Sequence, residues 1–431
     1  MFNLLGSSMK FCDGINRRNF LQIGAFGAGL TLADMLRAKA LANNVPDRPV
    51  AQTPTKSAIM IYLPGGPSHM DMWDIKTEAP VEYRGEFRAI QTNVPGVQIC
   101  EHFPRQARMF DKLACIRSIV SVDEHSDSLV MTGYSENTNR VAHHPSFGSV
   151  MSRLRTTGNT DIPPFVSLRG MSIGCEPGYL GVAHRAFTPS GAGMANLTLP
   201  SGVSAERTHD RRGLLEHFDT VRREIDQSGT MRGMDAFNQR AFEMVASGAT
   251  RRALDLSSED PRTRDRYRGI EQFLTARRLV ESGVGCVTLA YGGWDTHERN
   301  FETLRRQLPE LDRGIANLVQ DLHDRGMDRD TVVVVWGEFG RTPRVNGNMG
   351  GRDHWAPCMG ALVAGGNLRM GQAIGASSAR GEYPRDRRYS ASQVLSTLYR
   401  SVGIDASMTF PNGSGRPMYI LDDREPVVEL L

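Results

Sequence analysis

Residues 285–336 constrain the fold of this chain more than any other stretch. GCVTLAY (285–291) and TVVVVW (331–336) are short, apolar, β-branched runs, the composition of strands buried on both faces. Between them Phe301, Leu304, Leu308, Leu311, Ile315, Leu318 and Leu322 recur at three- and four-residue steps, which predicts one long amphipathic helix. Gly326 closes that helix. Strand, helix, strand is a βαβ crossover, and a crossover pairs its strands in parallel. The carboxyl ends of both strands then share one sheet edge, where open α/β folds bind their ligands.

Polar clusters follow both strands. After the first come Gly292-Gly293-Trp294-Asp295-Thr296-His297. After the second come Gly337-Glu338-Phe339-Gly340-Arg341, a Gly/Asn loop, and Arg352-Asp353-His354-Trp355. A lone Asp-x-His is usually a capped turn. Two Asp/His pairs and a glutamate at adjacent strand ends instead point to a divalent-metal site made from Asp295, His297, Glu338, Asp353 and His354. Oxygen and nitrogen donors of this kind suit zinc, manganese or calcium.

The remaining elements fit around this unit. AIMIYL (58–63) reads as a strand leading into Pro64-Gly65-Gly66-Pro67-Ser68-His69-Met70-Asp71. That loop lacks the Gly-Lys-Ser/Thr of a phosphate-binding loop. It is either a tight turn at the sheet edge or a further part of the site through Ser68 and Asp71. LACIRSIV (113–120) leads to Asp123-Glu124-His125-Ser126-Asp127-Ser128. Ser126 or Asp127 is placed to cap the helix that follows, and a hydroxyl there is also placed to attack a phosphoryl or sulfuryl group. Residues 359–365 read as a strand, 390–402 as an amphipathic helix, and 416–421 as an edge strand containing Pro417. The Arg-rich stretch from about 206 to 283 reads as a helical insertion beside the sheet, its alternating charges being solvated helix faces.

The formal net charge of +3 resides in the first forty residues, where Lys10, Arg17, Arg18, Arg37 and Lys39 outnumber Asp13 and Asp34. The balanced remainder argues against nucleic acid or an anionic membrane as the main partner. Residues 1–42 read as a signal peptide: paired arginines before Phe20-Leu21, an apolar run over 23–36, then Ala38-Lys39-Ala40. The pairing resembles a twin-arginine leader, the alternative being an ordinary Sec signal or an uncleaved anchor. Residues 43–57 read as a linker and 58–431 as one α/β domain. The apolar run is too short to span a bilayer, so the mature chain is expected to have no integral membrane segment. It is expected to be periplasmic or extracellular, with the twin-arginine export machinery as a partner. Cys12 lies in the leader. Of the other five, Cys115 and Cys286 sit in apolar runs as expected buried thiols, and an odd count leaves at least one unpaired.

LPGGPSHMDMWD, GGWDTHERNF, TVVVVWGEFGRTP and GRDHW, together with the leader, resemble the secreted bacterial family known as domain of unknown function 1501. The resemblance spans nearly all of the chain after the leader. It implies the alkaline phosphatase and sulfatase superfamily: an α/β three-layer sandwich with a mostly parallel central sheet, and one or two divalent metals at the strand ends. It also implies a Ser, Thr or formylglycine nucleophile. On that resemblance Asp295 and His297 correspond to an Asp-to-His pair on one metal, and His354 to a late histidine on the same metal, with Asp353 beside it. Glu338 stands where the superfamily has Asp-His-Gly, and Asp71 is a distant substitute for the first strand's Asp. The nucleophile corresponds loosely to His125-Ser126. A Cys/Ser-x-Pro-x-Arg sulfatase motif is absent.

Two functions are expected. One is a metal-dependent hydrolase of phosphate or sulfate esters, small or glycan-linked, in which Ser126 attacks and Arg341 or Arg352 holds the anion. The other is a non-catalytic exported protein that keeps the fold to bind a ligand, a metal or a glycan.

Overall fold

Eight strands form the central sheet: β1 (Ser57–Tyr62), β2 (Leu113–Val120), β3 (Phe165–Ser167), β4 (Cys286–Ala290), β5 (Thr331–Trp336), β6 (Met359–Gly365), β7 (Gln372–Ile374) and β8 (Tyr389–Ser390). The computed structural model describes residues 56–154, 162–168, 171–190 and 248–431. The expected leader, the linker up to residue 55, and residues 206–247 of the expected insertion lie outside the described residues.

The sheet order is β7, β2, β6, β5, β1, β4, β3, and β8 pairs with the last two residues of β2. All neighbours are parallel except at β6, which runs antiparallel to both β5 and β2. The mostly parallel α/β sheet expected from the crossover pattern is therefore present. The exception has a local cause. The loop between β5 and β6 carries no crossover helix, so β6 starts at the edge where β5 ended and must run back. The central register aligns the site: Tyr62 at the end of β1 sits opposite both Ala290 of β4 and Trp336 of β5.

The strands are apolar throughout because each face is covered, alternate residues serving alternate faces. Four helices matter most: α1 (Phe147–Leu154), α2 (Glu271–Glu281), α3 (Asn300–Asp324) and α4 (Ala391–Ser401). On one face Ile59, Ile61, Val333 and Val335 share a core with Phe273 and Leu274 of α2 and Leu308 and Leu311 of α3. On the other, Ala58, Met60, Val332 and Val334 share a core with Phe147 and Val150 of α1 and Val394 and Leu398 of α4. The result is three layers, with helices either side of the sheet.

The seven apolar positions that predicted α3 are all buried. Pro309 lies inside this helix but on its exposed side, where the carbonyl that the missing N–H leaves free is open to solvation. Within the described part of the expected insertion, α2 packs directly on the sheet and is a layer of the fold. The predicted edge strand near the end is a separate ribbon, in which Thr409–Pro411 pairs with Pro417–Tyr419. Pro411 faces Pro417 there, so neither can donate at that end of the ladder.

Ser390 opens α4 with a capping box: its hydroxyl accepts the Gln393 N–H at 3.2 Å, and the Gln393 side chain accepts the Ser390 N–H at 3.0 Å. Ser390→Ala is expected to cost about 1 kcal/mol, measurable as a lower urea midpoint with unchanged slope. Cys100, Cys115, Cys175, Cys286 and Cys358 are all buried free thiols. No described helix is long and apolar enough to cross a membrane.

Candidate metal centre

The loops leaving β1, β2, β4 and β5 meet at the shared edge, and three imidazoles converge there on one carboxylate. The Asp295 Oδ1 lies 3.1 Å from His297 Nε2 and 3.4 Å from His354 Nε2. Its Oδ2 lies 3.7 Å from His125 Nε2. The two imidazole nitrogens of His297 and His354 are themselves 3.1 Å apart. Candidate ligand atoms of His125, Asp295 and His354 all fall within 4.8 Å of one another.

Behind each ring stands a carboxylate. His297 Nδ1 meets Asp353 Oδ1 at 2.7 Å, His354 Nδ1 meets Asp123 Oδ1 at 2.9 Å, and His125 Nδ1 meets Glu338 Oε1 at 3.3 Å. A carboxylate at Nδ1 fixes the proton there and turns the Nε2 lone pair inward, the arrangement that orients metal-ligating histidines.

The sequence candidates fall into distinct places. Asp295, His297 and His354 meet at the centre, and His125 joins them. Asp353 stands one layer out. Its bond to His297 outweighs its slight burial, which opposes ionisation, and holds its carboxyl below the ordinary range. Glu338 is buried behind His125, where it accepts the N–H of Gly65 at 2.8 Å and of Gly66 at 3.1 Å. Gly65 and Gly66 have φ of +100° and +71°, and that turn aims both N–H groups at the carboxylate. Burial pushes the Glu338 carboxyl above its usual range despite those donors.

Arg341 is fully buried, and all of its bonds are internal. It donates to the carbonyls of Gly65, Gly66 and Arg352 and to Asp295 Oδ1. Burial opposes ionisation of Asp295, but Arg341, with His297 and His125, holds its carboxyl below the ordinary range. Arg352 and Asp71 form a buried two-pronged ion pair away from the histidines, at 2.8 and 3.1 Å. Arg352 is thereby committed to protein partners. Ser126 is buried and accepts the Ser128 N–H at 3.1 Å. Asp127, the other candidate cap, accepts from Ser172, Ile173 and Gly174 instead. Ser68 is buried, and its hydroxyl has no partner among the described residues.

The loop carrying His297 is locked against the loop carrying His354. Asn346 Nδ2 donates to the His297 carbonyl at 2.9 Å, and the Arg352 N–H donates to the Thr296 carbonyl at 3.0 Å. A Cβ on Gly351 would lie only 1.8 Å from that His297 carbonyl oxygen, a backbone atom that cannot rotate away. Gly351→Ala is expected to destabilise by about 1–3 kcal/mol and to displace His297. Urea unfolding reads the first effect, and the ring signals of His297 by NMR read the second.

The profile of a family described as a protein of unknown function (DUF1501) matches residues 55–431. The chain belongs to that family. No curated protein matches it. Solved structures similar to this DUF1501 chain include the PsFucS1 sulfatase from Pseudoalteromonas sp., at 11% identity and a TM-score of 0.36, covering 81% of this chain and 68% of that one. The lipoteichoic acid synthase LtaP from Listeria monocytogenes matches at 10% identity and a TM-score of 0.34, covering 86% and 75%. The C-terminal periplasmic domain of EcEptC from Escherichia coli, in complex with Zn, matches at 8% identity and a TM-score of 0.35, covering 81% and 82%.

Two site residues of this DUF1501 chain were missed by sequence reasoning. Asp123 precedes His125 by two residues, just past the end of β2, and a strand-end carboxylate beside a histidine was the available signal. Tyr62, the last residue of β1, stands by the buried Glu338, and burial followed by that carboxylate's charge pushes its hydroxyl above the usual range. Its position inside an apolar strand hid it, and nothing local marks it.

Proposed function

We propose that this chain is an exported metal-dependent hydrolase of phosphate or sulfate esters, working from His125, Asp295, His297 and His354. The observation that carries the reading is the convergence of three Nε2 atoms on Asp295 with a carboxylate behind each Nδ1. The spacing fits a small divalent ion: ligands ~2.0–2.1 Å from zinc at tetrahedral angles stand ~3.3 Å apart, against 3.1, 3.4 and 3.1 Å among Asp295, His297 and His354. A divalent ion held there would polarise an ester oxygen and offset the charge that builds during attack. Zinc suits the nitrogen-rich donor set better than calcium, which prefers oxygen.

The protein's own groups prepare the site. Asp123, Asp353 and Glu338 each hold an imidazole through Nδ1 and fix its ring direction, so that Nε2 faces the centre. Arg341 anchors Asp295 without consuming it, because a carboxylate oxygen has a second lone pair to offer. The candidate nucleophile is Ser126, next in the chain to His125. Its oxygen accepts the Ser128 N–H and keeps a second lone pair, but the side chain is buried. Arg341 orients the centre and is too deeply bound to clamp a substrate anion.

The burial of Ser126 favours a second reading, a non-catalytic protein that uses the same centre to bind a metal or glycan. Export in either case rests on the Arg17-Arg18 leader. The test is turnover of 4-nitrophenyl phosphate, bis(4-nitrophenyl) phosphate and 4-nitrophenyl sulfate by the mature chain loaded with zinc, manganese or calcium. Hydrolysis of one class is expected, falling by at least about 100-fold in Asp295→Ala. Metal binding without turnover of any class would replace the hydrolase reading with the second.

A further inference from the structure

Beside the histidine cluster lies an open hollow of about 400 Å3. The two are separated by a short ribbon in which Gly340–Arg341 pairs with His354–Trp355. Successive side chains of a strand point to opposite faces. His354 turns to the cluster, whereas Asp353 and Trp355 on either side of it line the hollow. Tyr83, Arg344, Asn346 and Glu382 complete the wall.

Trp355 is pinned before any ligand arrives. Its Nε1–H donates to the Glu382 carbonyl at 2.7 Å, and the Tyr383 ring lies 5.7 Å away at a tilt of 54°. The indole is half-buried, so part of it remains available. The Arg380 guanidinium lies 5.1 Å over the Tyr83 ring. The hollow therefore offers Trp355 as a fixed aromatic wall, with Tyr83 also on its lining. Asp353 and Glu382 supply acceptors, and the exposed Arg344 supplies donors. Asn346 is committed to the His297 carbonyl and its own loop, so it shapes the wall.

This chemistry selects among ligands. A lipid chain would leave the carboxylates and guanidinium dehydrated without partners. A flat aromatic ligand would use the indole face but offer few groups to meet Asp353, Glu382 and Arg344. A pyranose meets both demands, with a C–H face for the indole and hydroxyls for Asp353, Glu382 and Arg344. The volume is near the small end of ligand sites, ~300–1,000 Å3, which suits a single sugar unit.

We infer that this hollow binds one pyranose unit and that Trp355 is its stacking wall. Asp353 belongs to both places, 2.7 Å from His297 Nδ1 and half exposed on the hollow. A sugar seated on Trp355 is thereby held next to the cluster. That the seated sugar carries the ester to be cleaved rests on the hydrolase reading above. The sugar binding itself does not.

Saturation-transfer-difference NMR tests the inference on the full mature chain and needs no turnover. The probes are the methyl glycosides of glucose, galactose and N-acetylglucosamine. At least one is expected to receive saturation at its ring C–H protons. Trp355→Ala is expected to weaken that binding about tenfold, as loss of an aromatic contact does. Trp355→Tyr, which restores a ring, is expected to recover most of it, and thermal unfolding checks that both variants are folded. No saturation with any of the three, or equal saturation in folded Trp355→Ala, overturns the inference. Sugar binding without ester turnover upholds the hollow and removes only the hydrolase reading.

Discussion

Asp71→Ala is expected to destabilise the protein by about 3–5 kcal/mol, the cost of leaving a buried charge without its partner. Asp71 and Arg352 are both at 0% side-chain exposure. The aspartate receives Arg352 through Nε and Nη2, and Asn300 Nδ2 at 2.9 Å. Arg352 also donates to the carbonyls of Tyr83, Thr342 and Pro343. One carboxylate thus ties the loop after β1 to the start of α3 and to the loop that carries His354. Removing it strands a guanidinium with no water to solvate it. The contrast is Arg268 with Asp265, at 79% and 66% exposure, where Asp265→Ala is expected to change stability by no more than about 1 kcal/mol. Urea unfolding of both variants beside the wild type compares the two losses directly. Equal midpoints for Asp71→Ala and Asp265→Ala would refute the role given to the buried pair.

The second large effect is graded by distance from Asp295. Asp295→Ala and His354→Ala each remove a converging atom, and both are expected to abolish stoichiometric retention of a divalent ion. Asp123→Asn and Asp353→Asn leave the rings in place and remove only the charge behind them. These are expected to weaken metal affinity about 10–100-fold. Competition against a chelator of known affinity resolves the two classes. If all four variants bind as tightly as the wild type, the cluster is a hydrogen-bonded network of histidines and carboxylates with no metal role.

The parts of this protein legible in its sequence are those written locally. The period of α3 and the apolar runs of β1, β2, β4, β5 and β6 are each contained in a short window, and a βαβ unit then dictates that Asp295 and the Glu338–His354 loop share an edge. What the sequence does not carry is the choice of partner across long separations. Arg352 and Asp71 are 281 residues apart, and His354 and Asp123 are 231 apart. Nothing near Arg352 marks it as buried rather than available to a substrate. Glu338 shows the same limit: it follows β5 directly, as a metal ligand would, but the N–H groups of Gly65 and Gly66 claim its carboxylate. His125 took the inward position because β2 runs parallel to β5 and delivers its loop to the same edge, a pairing mediated by β6 and invisible in either strand alone.

The account depends on the histidines gathering around a metal, and metal analysis of the purified mature chain tests that most directly. The measurement is the content of zinc, manganese and calcium per chain after loading with each and removing excess, together with the X-ray absorption spectrum of the bound ion. The account predicts at least one divalent ion per chain, with imidazole scattering in its spectrum, and loss of that ion in Asp295→Ala. No stoichiometric metal under any loading, or an ion retained unchanged in Asp295→Ala and His354→Ala, would contradict it.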